Sequence, residues 1–351
     1  MPDMPLLLLR VAGVVVGLAG LWLTYRLRFR ARRLANSEWL LGTLLAFALV
    51  VCGLVPNAFD FLLGLFAFRK GGGQRLIGLL IFSNLLSYVL IYLALTRSNR
   101  AEEVIDRVVR ELAKRQYRES RDADDAQLYI VIPAFNEAAN IGAVLAGVPP
   151  LVCGLRTKPI VVVDGATDDT ATVVRQCSSE PVCYLVNRGG GSALKAGYDL
   201  AIENGGDIVV TLDADGQHRP DEISRLVQPI VDGRADLVNG SRLLGRYQVE
   251  RWSRATGLVL FNWLISLLTL TRITDCSSGF RAIRTAELAK LELRQPQFHT
   301  SELLIEALRK GLRVTEVPIS GERRRSGESK KPASWRYGWG FARAIVSTWL
   351  R

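Results

Sequence analysis

Histidine and cysteine are scarce in this chain, with two histidines and five cysteines in 351 residues. The cysteines, Cys52, Cys153, Cys177, Cys183 and Cys276, are odd in number and widely spread. That excludes a disulfide scaffold, and no pair has zinc-finger spacing, so reduced thiols are expected. With 31 glycines and 13 prolines, neither collagen nor a low-complexity chain is possible. Acidic residues are the minority, 34 against 45 Lys+Arg, for a formal net charge of +11. A hydrophobic share of 49% excludes disorder, and a mean hydropathy of +0.17 is high for a purely soluble chain. The length fits two or three domains.

The apolar residues concentrate in the first hundred positions. Leu6 to Tyr25 is interrupted only by Arg10, Trp39 to Val55 forms a second run, and Leu76 to Leu95 a third. About 20 such residues rise roughly 30 Å as a helix, enough to cross a bilayer core. No basic stretch precedes the first run and no small-residue cleavage site follows it, so a span is preferred over a signal peptide. Arg26, Arg28, Arg30, Arg32 and Arg33 lie between the first two runs, a positive-inside signal. The expectation is an α-helical transmembrane domain over residues 1–98, with helices at about 6–25, 39–55 and 76–95. Phe59 to Phe68 would rest at the outer interface. Everything after Thr96 is then cytoplasmic, in a multi-pass protein of the cell (plasma) membrane. Much of the positive charge flanks these runs, so no nucleic-acid partner is inferred from it.

Residues 99–126 are expected as a cytoplasmic amphipathic helix and a polar linker. Val104, Ile105, Val108, Val109 and Leu112 are spaced for one helical face. Two readings of that stripe stand, packing on the neighbouring domain and homo-oligomerisation. From Leu128 short apolar runs alternate with helical patterns. Leu128–Ile132, Ile160–Val163, Cys183–Val186, Ile208–Leu212 and Leu237–Val238 read as buried strands; Ile141–Ala146, Asp169–Gln176, Ser192–Glu203 and Asp221–Val231 read as helices. That alternation predicts an α/β domain with a mainly parallel sheet, whose ligands sit beyond the carboxyl ends of the strands.

Polar clusters follow each strand. They are Pro133-Ala134-Phe135-Asn136-Glu137, Asp164-Gly165-Ala166-Thr167-Asp168-Asp169, Asn187-Arg188-Gly189-Gly190-Gly191 and Asp213-Ala214-Asp215-Gly216-Gln217. Any one of them serves as an ordinary turn; four on one sheet edge describe a site. Asp213 and Asp215, two residues apart at a strand end, point the same way and offer hard oxygen ligands suited to Mg²⁺ or Mn²⁺.

The strings VIPAFNE, VVVDGATDDT, TLDADGQHRP, NGSR and DCSSGFRAIR, in this order, resemble glycosyltransferase family 2. Within it the chain looks most like the dolichyl- or polyprenyl-phosphate sugar synthases, and residues 128–343 carry the likeness. FHTSELLIEALRKGLRVTEVPI and RRRSGESK are also typical of that branch. The resemblance implies a GT-A fold over residues 127–322, a mixed, mostly parallel Rossmann-like sheet. It implies donor contacts at Pro133, Ala134, Phe135, Glu137, Asp164, Gly191 and Asp213. The metal-binding DxDxQ would be Asp213, Asp215 and Gln217, with both aspartates also catalytic. Arg242 and Arg281 match positions near the acceptor phosphate, and Arg254, Arg323, Arg325 and Lys330 are further cations for it. Val163 stands where many relatives carry a second Asp, and Gly190 where many carry Lys, which leaves nucleotide and sugar open between GDP-mannose and UDP-hexose types.

A sugar hydroxyl acceptor needs a general base, whereas a monophosphate, with a second pKa near ~6, is already largely an oxyanion. His218 and His299 are the only histidines. His218 reads as a loop residue before it reads as a base, and His299 as a cap or a neighbour of Glu302. A polyprenyl phosphate acceptor is therefore expected. Residues 323–351 form a basic and aromatic segment, which reads equally as a solvated or lipid-facing patch and as a loop closing over phosphates. Residues 257–270 are too short to span, and an interfacial helix carrying Trp263 competes with a buried core helix. Gln248-Val249-Glu250-Arg251-Trp252 spells the QxxRW of processive polysaccharide synthases. No acidic acceptor motif precedes it, and C-terminal membrane helices are lacking. A non-catalytic nucleotide-sugar- or lipid-binding adaptor is the remaining alternative, which the intact Asp213, Asp215 and Gln217 disfavour.

Overall fold

The computed structural model describes residues 4–26, 36–55, 74–119, 126–177, 179–247, 252–295, 298–322 and 335–350. Two compact units divide at Glu103/Val104. The first contains helices α1 (Met4–Tyr25), α2 (Asn36–Leu54) and the start of α3 (Gln74–Glu119). Small residues let α1 and α2 approach closely. A Cβ at Gly17 would lie 2.6 Å from Val50 Cγ2, and one at Gly42 would lie 2.8 Å from Thr24 Cγ2. Val15, Val16, Trp22, Leu44 and Phe47 are exposed on these helices.

Helices thus occur at all three apolar runs, but among the described residues none is long and apolar enough to cross a membrane. What stands is a helical unit; its spanning of a bilayer is an expectation only. Arg28, Arg30, Arg32, Arg33 and Phe59–Phe68 lie outside the described residues.

The second unit is built on β1 (Leu128–Ala134), β2 (Leu151–Val152), β3 (Leu155–Asp164), β4 (Val182–Tyr184), β5 (Ile208–Thr211), β6 (Leu237–Tyr247), β7 (Arg281–Arg284) and β8 (Val314–Gly321). The order is β2-β3-β1-β5-β7-β6-β8, with β4 beside β3. β4, β3, β1 and β5 run parallel, β7 is antiparallel to both neighbours, and β6 pairs β8 in parallel. The inner strands are buried on both faces, as parallel strands covered by helices must be. Tyr129, Val131, Ile160 and Val162 face one apolar cluster. Leu128, Ile130, Ile132, Val161 and Val163 face the other, the period-two alternation of a strand.

Helices α4 (Ala138–Gly147), α5 (Thr170–Gln176), α6 (Gly190–Glu203) and α7 (Ile223–Val231) follow β1, β3, β4 and β5; α8 (Trp252–Thr269), α9 (Thr285–Leu288), α10 (His299–Arg309) and α11 (Trp335–Trp349) complete the unit. α8 starts earlier than expected. Leu258, Asn262 and Ile265 are buried, while Val259, Leu260, Trp263 and Leu267 are exposed, so one face packs on the core and the other is open.

In the second part of α3, Val104, Ile105, Val108 and Leu112 are exposed, and only Val109 of that stripe packs on the core, which goes against the packing reading of the stripe and does not bear on the homo-oligomer reading. The buried face carries Ala113, Lys114 and Tyr117, with Lys114 paired to Asp199 and Glu203 of α6.

Gly197 of α6 lies against β1, where an added Cβ would come within 2.2 Å of Val131 Cγ1. Alanine in a helix is intrinsically better than glycine by about 1 kcal/mol, but overpacking of a rigid strand costs about 1–3 kcal/mol. Gly197→Ala is therefore expected to lower the melting temperature by several degrees, read by thermal denaturation of the full chain.

Candidate active site at the carboxyl edge of the sheet

The loops after β1 and β3 are laced together. Asn136, at φ 53°, accepts from Thr167 N at 2.8 Å and donates to Thr167 Oγ1 at 3.2 Å. Glu137 Oε2 accepts from Asn140 Nδ2 at 2.7 Å, and Glu137 N donates to Thr170 Oγ1 at 2.9 Å. Of the expected donor residues here, Pro133 and Phe135 are half-buried, while the Ala134 side chain enters the core. Only the backbone of Ala134 faces the edge.

Asp164 ends β3 and is 3% exposed. Its Oδ1 accepts from Arg188 N at 2.7 Å and its Oδ2 from Gly189 N at 2.8 Å. Burial pushes this carboxyl above its ordinary range, against the pull of those two amides. Asp164 thereby grips the turn that opens α6, where Gly189 has φ 91° and Gly191 is buried in the first helical turn.

After β5 the chain keeps a two-residue alternation. Asp213, Asp215 and Gln217 are half-buried, whereas Ala214, Gly216 and His218 are buried between them. Asp215 Oδ1 accepts from Gln217 N at 3.1 Å. Glu322 N donates to Gln217 O at 2.9 Å, which ties the end of β8 to this loop. The Asp213 carboxylate lies against Gly279, where a Cβ would stand 2.7 Å from either oxygen, so a larger residue there would displace the carboxylate. His218 Nε2 lies 3.6 Å from Asp213 Oδ2, and its ring stacks on Phe280 at 5.2 Å. It is a buried loop residue beneath the carboxylate.

Across the edge, Asp275 is wholly buried. Arg242 donates to it from Nε at 2.7 Å, from Nη2 at 2.9 Å and from its backbone N at 3.1 Å. Burial pushes the Asp275 carboxyl up, but the hydrogen bonds and charge of Arg242 outweigh this and hold it below the usual range. Glu316 of β8 secures the same loop through Thr274 N at 2.7 Å, Asp275 N at 3.2 Å and Asn239 Nδ2 at 2.7 Å.

Arg281, expected at the acceptor phosphate, is only 2% exposed. It donates to the carbonyls of Thr300 and, at 2.9 Å, Cys276. It fastens backbone rather than facing a ligand. The side chain of Arg254 and residues Arg323, Arg325 and Lys330 lie outside the described residues. A cleft of about 340 Å³ touches the DxDxQ loop at Gly216 and His218. The larger one, about 650 Å³, is lined by Tyr117, Leu145, Lys158 and Glu180 toward the other end of the sheet; the chemistry, not the volume, marks the site.

The glycosyl transferase family 2 profile matches residues 129–291. The chain is 32% identical over 217 residues to UDP-N-acetylglucosamine–dolichyl-phosphate N-acetylglucosaminyltransferase of Methanococcus voltae, across 56% of this chain and 85% of that protein. This chain belongs to glycosyl transferase family 2. Polyprenol monophosphomannose synthase of Mycolicibacterium smegmatis is 31% identical over 223 residues, covering 58% of this chain and 81% of the relative. Among solved structures, glucosyl-3-phosphoglycerate synthase from Mycobacterium tuberculosis, in complex with Mn²⁺, uridine diphosphate and glucosyl-3-phosphoglycerate, superposes with a TM-score of 0.52. It is 25% identical and covers 64% of this chain and 80% of that one. The sheet is the GT-A-like mixed α/β arrangement of this family.

Among the described residues no group of three Asp, Glu, His or Cys side chains could hold a metal ion. Two half-buried carboxylates two residues apart nevertheless fit Mg²⁺ or Mn²⁺, hard cations that complete their shells with water and phosphate oxygens. Asp213 and Asp215, with the Gln217 amide, are the residues of this family 2 chain that would hold one.

The Asp275 knot escaped the sequence reading, although the acid opening Asp275-Cys276-Ser277-Ser278-Gly279 was its signal. Arg242→Ala would strand a buried carboxylate, a loss of about 3–5 kcal/mol, read as a fall in melting temperature. A carboxyl held below its usual pKa stabilises the fold above the unfolded value near ~4 and loses that contribution as pH falls through its depressed value. The penalty of Arg242→Ala is therefore expected to shrink as pH drops below about 4.

Proposed function

We propose that this chain is a membrane-associated inverting glycosyltransferase that moves one sugar from a nucleoside-diphosphate donor to a polyprenyl monophosphate. One observation carries the reading: Asp213 and Asp215 stand half-buried in the loop after β5, at the carboxyl edge of the sheet where Asp164 grips the turn after β4. The acceptor class is supported by the named activities of the two relatives.

The loop after β1, Asp164 and the glycine turn would bind the nucleotide, leaving the anomeric carbon open at the edge. The acceptor phosphate oxygen attacks that carbon from the face opposite the leaving diphosphate, so the anomeric configuration inverts. No proton has to be removed, because the phosphate is already an oxyanion. Mg²⁺ or Mn²⁺ at Asp213 and Asp215 would neutralise charge on the departing nucleoside diphosphate. Arg242, pre-oriented by Asp275, together with Arg254, Arg323, Arg325 and Lys330, would hold the acceptor phosphate, a task of positioning and charge.

Membrane association is supported by the apolar faces left uncovered. The outward residues of α8 and Trp339, Trp349 and Leu350 of α11 and its end are exposed. The two helices pack together through Phe261 and Phe341 at 4.6 Å, and Trp349 Nε1 donates to Leu268 O at 2.9 Å. Interfacial helices of this kind would bring the site to the depth at which a lipid-linked phosphate emerges. Residues 1–98 would supply the bilayer anchor, with the transferase unit in the cytoplasm at the plasma membrane.

The test uses the full chain in detergent with Mn²⁺ or Mg²⁺, a short polyprenyl phosphate and a panel of radiolabelled UDP- and GDP-sugars. Label from one donor in the organic phase is expected, and Asp215→Asn should lower it by about 100-fold or more while the protein stays folded. Label from none of the donors, or wild-type turnover by Asp215→Asn, would contradict the reading.

A further inference from the structure

The charged face of α3 within the second unit has no part in the reaction described above, yet it ends at the donor-side turn. Asp106, Arg110 and Lys114 recur every four residues and so share one helical face. Lys114 is 3% exposed, and its ammonium meets Glu111 at 2.8 Å, Glu203 at 3.0 Å and Asp199 at 3.4 Å. Arg110 reaches Asp199 at 3.3 Å and Asp106 at 3.4 Å. Asp106 in turn accepts a hydrogen bond from Ser192 Oγ and faces Arg188 Nε at 3.6 Å.

Arg188 and Ser192 bracket the glycines 189–191. The amides of Arg188 and Gly189 are the two that Asp164 holds from the sheet. The turn is therefore secured from both sides, by Asp164 at the end of β3 and by Asp106 on α3. Apolar contacts of Ala113 and Tyr117 already pack α3 on the core, but such contacts are non-directional. Burying an ammonium among three carboxylates adds little net stability, and its attested use is to fix register. Here the register in question is that of α3 along α6, and it sets where Asp106 meets the turn.

We propose that the Asp106–Arg110–Lys114 stripe is a positioning device for the turn Asn187–Gly191. Arg110 and Lys114 lock α3 onto α6, and Asp106 then fixes the turn in the geometry that receives the nucleoside-diphosphate donor. The donor clause rests on the function proposed above; the hold on the turn does not.

The test compares the full chain in detergent with Asp106→Ala, Asp106→Glu and, as a control on the exposed side of the helix, Arg107→Ala. Amide hydrogen exchange at Arg188 and Gly189 is read first, then the KM for donor and acceptor, kcat and the melting temperature. Asp106→Ala is expected to speed exchange at both amides and to raise the donor KM, each about tenfold, with the acceptor KM within about twofold. Asp106→Glu should recover part of the loss, and Arg107→Ala should match the wild type. Unchanged exchange in Asp106→Ala would overturn the proposal, as would donor and acceptor KM rising together with a fall in melting temperature. A wild-type chain that transfers no sugar would sink the donor reading, while the exchange arm still decides whether the stripe holds the turn.

Discussion

Where strands of a parallel sheet end, their loops leave the hydrogen-bonded ladder and the backbone N–H groups must find other partners. In this chain carboxylates supply them. Asp164 takes the amides of Arg188 and Gly189, Asp168 those of Ala138 and Thr170, and Asp215 that of Gln217. Asp275 takes the amide of Arg242, and Glu316 those of Thr274 and Asp275. One device, repeated around the edge, turns five loops into a defined surface. The rest of the site depends on it, because a donor can be oriented only by loops that have a single conformation.

That solution fills the edge with negative charge, and it shapes the chemistry that follows. A diphosphate leaving group and a phosphate acceptor are both anions, so the site needs cations wherever the carboxylates are not already neutralised by amides. Asp213 and Asp215 are half-buried, which leaves them open to a divalent ion, whereas buried Asp275 is matched by Arg242. The arginines differ in burial as well: Arg281 is sealed against carbonyls, while Arg242 keeps part of its side chain at the surface.

Much of the architecture was legible because apolar periodicity reports it. The continuous runs at 128–132 and 160–163 can only be strands covered on both faces, and the four polar clusters after them do meet at one edge. What periodicity cannot see is a helix face buried by charge. Of the stripe Val104, Ile105, Val108, Val109 and Leu112, for which two readings stood, only Val109 packs on the core, whereas Lys114 and Arg110 face α6 through ion pairs with residues almost ninety positions on. The strand β7 was hidden for a related reason, since its four residues begin and end with arginine. Arg281 looked like a surface cation until its partners, backbone carbonyls invisible in a sequence, were known. For α8, composition alone did not show which face is covered; Ile265 is buried and Trp263 exposed.

The central claim is that Asp213 and Asp215 form a metal site completed by a nucleoside diphosphate. Electron paramagnetic resonance of Mn²⁺ titrated into the full chain, with and without UDP or GDP, tests it most directly. Two carboxylates alone should bind Mn²⁺ weakly, so the account predicts a bound-Mn²⁺ signal that tightens at least about tenfold with one of the two nucleotides. That tightening should vanish in Asp213→Asn. Mn²⁺ affinity indifferent to both nucleotides, or undiminished in the variant, would contradict it.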